Sequence, residues 1–248
     1  MIIIHDKRLP EEAIQNLQKY GDCLPFYSEN ITYKEIAGHP DIFFLPTEKF
    51  VIVAPNTPQH YIDYLKKQNV TLIIGQNSVG NKKEDSTCYN AVVSDNYIIH
   101  NKNFTDQSIF QNIKEKEFIQ VNQAYTRCSL LPLKNDCFIT SDRGIEKELL
   151  NNKLTCLYVS PKEIELPGFP YGFIGGCMGI FEDKVFIIGN LDFHPEGKKI
   201  EAFLHENDYQ IISLYDGKLF DGGSIFFINN FYNPRFSFRT SMNSTLQL

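Results

Sequence analysis

Residues 41 to 75 read DIFFLPTEKFVIVAPNTPQHYIDYLKKQNVTLIIG, and the order of elements in that stretch decides the fold. Ile42 to Leu45 is a short apolar run, Pro46 to Lys49 a polar turn, and Phe50 to Ala54 a second apolar run. Two strand-like runs about a short polar turn predict a hairpin. Thr57 then offers an N-cap and Pro58 a first helical residue, and Ile62 and Leu65 mark the apolar stripe of a helix through Lys67. Val70 to Ile74 is a third strand, stopped at Gly75.

The same order returns along the chain, and a repeat outweighs any single element as a fold signal. A second unit has strands at Ala91 to Val93, Tyr97 to Ile99 and Phe118 to Val121, with a helix from Thr105 and Asp106 through Lys116. A third has Cys128 to Leu133, Cys137 to Thr140, a helix from about Asp142 to Asn151, and Leu154 to Val159. A fourth has Gly172 to Phe181, Val185 to Ile188, a helix from Pro195 to about Glu206, and Tyr209 to Leu214. The fifth begins at Gly222 to Ile228 and stops. Its remaining parts stand at the other end of the chain: Met1 to Ile4, a helix from Pro10 to Tyr20, and Cys23 to Tyr27. The expected architecture is α/β, a five-bladed ββαβ pseudo-symmetric propeller closed as a ring by the N-terminal segment, which completes the last blade and leaves no open sheet edge.

No Pro/Gly/Ser-rich linker breaks the pattern, so residues 1–230 are read as a single domain and 231–248 as a C-terminal tail. The tail carries Phe231, Tyr232, Phe236 and Phe238 among polar residues, a composition suited to covering a surface or to self-association as a homo-oligomer. Gly80 to Asp85 reads as the most mobile loop. A net charge of -6 argues against a nucleic-acid partner, which needs a basic face. No apolar run approaches the roughly 20 residues of a membrane span, and Met1 to Ile4 is too short for a signal peptide. The six cysteines lack CxxC spacing and mostly sit in apolar strands, which fits free buried thiols in a reducing cytoplasm.

In a hairpin the start of the first strand lies beside the end of the second. Applied to each unit, this collects His39, Asp41, Asn90, Arg127, Gly172 and Asp221 with Asn56, Asn101, Asp142, Asp192, His194, His5 and Asp6. If the five hairpins surround an axis, these polar groups line one mouth, the default place for a ligand. We take His39, Asp41, Asn90, Arg127, Asp142, Asp192, His194 and Asp221 as candidate ligand-binding residues. Carboxylates there suit a cationic or mixed-charge small molecule, and Arg127 is placed to hold a carboxylate in fork geometry. For each residue alone a structural role competes: Asp142 as a helix N-cap, Asp192 and Asp221 as turn residues.

The tripeptides His39-Pro40-Asp41 and Asp192-Phe193-His194 each space an imidazole and a carboxylate two apart, which on a strand is one face. Such pairs suit a divalent metal or a general base with its orienting carboxylate, although the spacing is common by accident, and neither a metal nor a cofactor is expected. The glycine-rich stretch Tyr171 to Gly179 lacks the ending of a phosphate loop. Its glycines mark close backbone approach or room made for a ligand. Cys177 within it has no His neighbour in sequence to activate it as a nucleophile.

The repeat pattern of residues 1 to about 230 resembles the pentein fold, the five-bladed propeller of the guanidino-group-modifying enzymes: deiminases, dimethylarginine hydrolase and amidinotransferases. The segments at His39-Pro40-Asp41-Ile42, Tyr171 to Gly176 and His194-Pro195-Glu196 are also similar to a bacterial family of that fold without assigned function. The resemblance implies a nucleophilic Cys after a Gly-Gly-x-Ile-His-Cys segment in the last blade. The matching stretch, Gly222 to Phe227, has Phe226 and Phe227 at the His and Cys positions. The family's His-x-Asp of the fourth blade is matched by Gly172-Phe173-Ile174, and its Glu-Gly-Gly of the third by Arg127-Cys128-Ser129. The expectation is therefore a cytoplasmic protein that binds a small polar ligand, guanidino or amino-acid-like, without the covalent Cys mechanism. A hydrolase of C–N bonds with relocated His and Asp residues, and a non-catalytic interaction module, are the alternatives.

Overall fold

The computed structural model describes residues 1–229, and the expectations for the tail lie outside the described residues. Among the described residues there are five three-stranded sheets. In the first unit Phe44–Pro46 pairs antiparallel with Val51–Val53, which pairs parallel with Leu72–Ile74 across the helix Gln59–Lys67. Units two to four repeat this: Val92–Val93, Tyr97–His100 and Glu117–Gln120; Leu130–Leu133, Cys137–Thr140 and Thr155–Tyr158; Met178–Phe181, Lys184–Ile187 and Gln210–Ser213. In the fifth, Ile2–Asp6 is the middle strand, antiparallel to Phe226–Ile228 and parallel to Asp22–Phe26. The two ends of the repeat region are thus joined in one sheet, as the split unit predicts.

The local physics is the same from unit to unit. Each middle strand has a buried apolar stretch, as a strand covered on both faces must. The helices bury residues three and four apart: Ala13 and Leu17, Ile62 and Leu65, Ile145 and Leu149, Ile200 and Leu204. Three of them end alike, on a left-handed Asn69, Lys153 or Asp208. The amide of the next residue then bonds back to the last buried apolar turn, Val70 to Leu65, Leu154 to Leu149 and Tyr209 to Leu204, each at 3.0 Å. That reversal feeds the chain into the third strand.

Apolar clusters lie where one unit meets the next. One joins Ile2, Ile4 and Phe26 of the fifth unit to Phe43, Phe44 and Ile52 of the first and Ala91 and Ile98 of the second. Another joins units two and three through Val92, Ile99, Leu130 and Phe138. Leu131 and Ile139 meet Met178 and Val185 between units three and four, and Phe186 and Ile188 meet Ile3, Leu17 and Ile225 between four and five.

Several boundaries differ from the sequence reading. Thr57 does not cap its helix; Pro58 holds the N-cap position without a side-chain bond. Asp106 and Asp142 do cap, accepting from Ser108 N and Ile145 N. The loop Gly75 to Tyr89 contains a helical turn, Lys83–Ser86, tied by Ser86 Oγ to Tyr125 Oη at 2.7 Å. Ile164–Glu165 pairs with Leu219–Phe220 in a small parallel sheet outside the repeat. No helix among the described residues is long and apolar enough to cross a membrane.

Candidate functional site

The segments entering the first strands are turns, and this determines where their side chains go. Pro40–Ile42 and Gly175–Cys177 are 3-10 turns and Thr126–Ser129 is a short helical turn. In the fifth unit Gly223 and Ser224 both take left-handed backbone, with φ of 65° and 76°. His39 and Asp41 therefore do not share a strand face, because Pro40 opens a turn between them.

These turns are hydrogen-bonded to one another from unit to unit. Asp41 N donates to Gly223 O at 3.2 Å, Asn90 Nδ2 to Asp41 O at 3.1 Å, and Arg127 N to Asn90 O at 2.9 Å. The Arg127 guanidinium donates to Gly175 O at 2.8 Å and Met178 O at 3.1 Å, and Ser224 N to Gly176 O at 2.8 Å.

Within this frame sits a buried polar cluster of His39, Asp41, Asn90, Cys128, Asp221 and Ser224. Asp41 Oδ2 accepts from the Cys128 thiol at 3.0 Å and from Ser224 Oγ at 2.9 Å. Asn90 Nδ2 lies 3.3 Å from Cys128 Sγ, and Asn90 Oδ1 accepts from Arg127 N at 2.8 Å. Asp221 accepts from Phe173 N at 2.8 Å and Gly223 N at 3.0 Å, and its Oδ1 stands 4.0 Å from His39 Nδ1. Asp41 Oδ1 and both ring nitrogens of His39 are buried with no hydrogen-bond partner among the described residues. Buried polar groups in this state are rare and call for an explanation.

The electrostatics follow from burial. It raises the Asp221 carboxyl from 3.8 to about 6, with nearby Asp41 adding to the shift and His39 opposing it. Burial, and then Asp41 and Asp221, push the Cys128 thiol well above its ordinary range, so it is a thiol and a donor at neutral pH. Burial lowers the Arg127 guanidinium, opposed by Asp41, yet it remains the cation beside two buried carboxylates.

Of the candidate residues read from sequence, His39, Asp41, Asn90, Arg127 and Asp221 come together here. Arg127 spends its fork on backbone carbonyls and lies with its guanidinium carbon 5.7 Å from the centre of the Phe226 ring. Asp142, Asp192 and His194 share no hydrogen bond with the cluster among the described residues. Asp142 caps its helix and accepts from Gln123 at 2.9 Å, and Asp192 is exposed and pairs with Lys198 at 3.2 Å. His194 is used locally, one ring nitrogen accepting from Glu196 N and the other near Ser160 O, both at 3.1 Å.

Sequence reading missed Cys128 and passed over Ser224. Both occupy the repeat position of His39 to Asp41, so aligning the unit starts without assuming strands would have included them. Cys177 is buried in apolar surroundings, donates to Phe173 O at 3.2 Å and is held above its ordinary range chiefly by burial. The glycines of residues 171–179 serve close approach. A Cβ on Gly175 would meet Arg127 O at 2.3 Å, and one on Gly176 would meet Asp221 Oδ1 at 1.9 Å. At the opposite, hairpin-turn end a cavity of about 790 Å3 opens, lined by Thr47, Asp95, Lys134, Glu182 and the first strands, with Arg127 common to cavity and cluster.

Residues 4–226 match the family described as "Family of unknown function (DUF6873)". The chain belongs to that family. No curated protein matches its sequence. Among solved structures, this member of the family is similar to an amidinotransferase of saxitoxin biosynthesis from Microseira wollei, at 11% identity and a TM-score of 0.55, over 86% of this chain and 87% of that one. It is also similar to the dimethylarginine dimethylaminohydrolase of Pseudomonas aeruginosa complexed with citrulline, at 8% identity and a TM-score of 0.52, over 86% and 91%. An arginine dihydrolase of the cyanobacterial ornithine–ammonia cycle matches 88% of this chain with 37% of its own, at 9% identity and a TM-score of 0.50. These likenesses show a mixed α/β fold of the pentein type.

Proposed function

We propose that this chain binds a small cation of guanidino or amino-acid type at the cluster around Asp41. The observation that carries the reading is Asp41 Oδ1, a fully buried carboxylate oxygen with no partner among the described residues, beside the second buried carboxylate of Asp221. A guanidinium or ammonium group brings the donors and the positive charge that this pair lacks. The fold shared with guanidino-modifying enzymes supplies the chemical class. In the same proposal the five units close about one axis, supported by the hydrogen bonds that pass from Gly223 through Asp41, Asn90, Arg127 and Gly175 back to Ser224. We place the protein in the cytoplasm, on the strength of six unpaired cysteines.

The test is a thermal-shift panel of arginine, agmatine, citrulline, creatine and other amino acids, run with a chelator present. A ligand at about a hundred times its dissociation constant stabilises by about 2.7 kcal/mol, and each kcal/mol moves the midpoint by roughly 2–4 °C at this size. One compound is expected to shift the wild type and not Asp41→Asn, which keeps the shape and removes the charge. A flat panel overturns the reading.

A second reading, hydrolysis or transfer at a C–N bond, is favoured by Cys128 Sγ lying 3.0 Å from Asp41 Oδ2. Asp41 would take the thiol proton as sulfur attacks the guanidinium carbon, and an amine would leave with a proton before water releases the product. Release of amine or ammonia by the wild type and not by Cys128→Ala is the expected result; no release from any panel compound removes this reading.

A further inference from the structure

The buried cluster contains a donor set that the proposed organic ligand uses only in part, through Asp41. His39, Asp41 and Cys128 each place one ligand atom within 4.8 Å of the others, and all three are buried. Imidazole, carboxylate and thiol form a borderline-soft set, the kind zinc takes with bonds of about 2.0–2.3 Å. Donor atoms at such bond lengths stand roughly 3–4 Å apart, so the observed spacing needs only a small contraction around an ion.

We propose that His39, Asp41 and Cys128 form a binding site for Zn2+. Asp41 binds through Oδ1, the oxygen with no partner among the described residues, while Oδ2 keeps the bond from Ser224 Oγ at 2.9 Å. One ring nitrogen of His39 serves the ion. Asp221, whose Oδ1 is 4.0 Å from His39 Nδ1, is the carboxylate placed to orient the ring, as second carboxylates commonly do at zinc-bound histidines. Cys128 binds as thiolate, so each ion taken up releases the thiol proton to solvent, and Asn90 Nδ2 at 3.3 Å remains to donate to the sulfur. The three ligands leave a fourth position open, as at zinc sites that accept a further ligand.

This site stands apart from the organic ligand, since it needs the three donors and no guanidino compound. The two share Asp41 and are expected to compete. The experiment is titration of the full-length, chelator-treated, reduced protein with Co2+, followed by displacement with Zn2+. One equivalent of Co2+ is expected to raise a near-ultraviolet thiolate-to-cobalt band that Zn2+ abolishes. Cys128→Ser should lose the band, Cys177→Ser should keep it, and Asp41→Asn should weaken Zn2+ at least tenfold. A second readout comes from the wild type, whose fold no substitution touches. Equimolar Zn2+ should slow Cys128 alkylation at least tenfold during partial unfolding, as read by mass spectrometry of the peptide. Cobalt bound without a thiolate band, a band surviving in Cys128→Ser, or alkylation indifferent to Zn2+ would each overturn the site. A cobalt band with a flat guanidino panel keeps the metal site and removes the organic ligand alone.

Discussion

Ser224 Oγ donates to Asp41 Oδ2 at 2.9 Å, across 183 residues of sequence. The bond ties the last unit to the first between two fully buried side chains of the polar cluster, and it does so from a strained backbone. Ser224 takes φ of 76°, directly after Gly223 at 65°, in the region that L residues avoid.

Two substitutions separate the bond from the strain. Ser224→Ala keeps the strain and removes a donor from a buried carboxylate, so it should cost about 1–3 kcal/mol. Ser224→Gly removes the same donor but relieves the backbone, and should recover about 1 kcal/mol of that loss. Denaturant midpoints of the two variants measure the difference. Equal losses would show that the backbone at 224 is not under strain.

Asp221 imposes a pH dependence with a definite sign. Its folded pKa of about 6 lies above the ordinary 3.8, so between those values the folded protein holds a proton that the unfolded chain has released. The resulting stability is complete below about pH 4 and is lost as the pH rises through about 6, by roughly 3 kcal/mol at most. The stability of the wild type relative to Asp221→Asn should therefore fall between pH 4 and 7, measured by urea unfolding at each pH. A difference that stays constant across that range would mean that Asp221 is ionised throughout.

Gly176 is the position where the cluster has least room. A Cβ there would lie 1.9 Å from Asp221 Oδ1, and Gly176 O accepts from Ser224 N, so neither side can yield. Gly176→Ala should cost at least about 3 kcal/mol, the upper end for overpacking. The matched control is Gly144→Ala in the helix Arg143–Asn151, whose Cβ would meet nothing nearer than Asp142 Oδ1 at 3.0 Å. Its cost should stay below about 1 kcal/mol. Thermal midpoints of the pair decide it, and comparable losses would contradict the packing.

The hairpin and helix of every unit were legible because they rest on local patterns: apolar runs of strand length, a stripe at three- and four-residue spacing, and turn residues between them. The split unit was legible for the same reason, since Ile2–Asp6 and Phe226–Ile228 each read as half of a known pattern. The cluster was legible in part. His39, Asp41, Asn90, Arg127 and Asp221 could be gathered by repeat position, whereas Cys128, which meets Asp41 from 87 residues away, falls one place beyond Arg127 and is reached only when the unit starts are aligned as turns. Asp192 and His194 mislead because their spacing spans a 3-10 turn, Leu191–Phe193, and their side chains bond to Lys198, Glu196 and Ser160 and not to the cluster. Spacing on a strand and spacing on a turn look alike in sequence, and only the pairing partner tells them apart.

Arg127 gives the last prediction, because it couples the packing of the cluster to its charge. Its guanidinium bridges Gly175 O and Met178 O, 2.8 and 3.1 Å away, and so fixes the fourth unit against the third. It is also the cation facing Asp41 and Asp221. Arg127→Lys retains the charge but cannot span both carbonyls, and should cost about 1–3 kcal/mol. Arg127→Met fills similar volume, leaves both carbonyls unpaired and strands two buried carboxylates, and should cost about 3–5 kcal/mol at pH 8. Protonation of Asp221 removes one of those charges. The Met variant should therefore regain part of its deficit at pH 5, and the Lys variant should change less. Unfolding free energies of the wild type and both variants at the two pH values test this. A deficit for Arg127→Met that is the same at both would assign the residue to bridging alone.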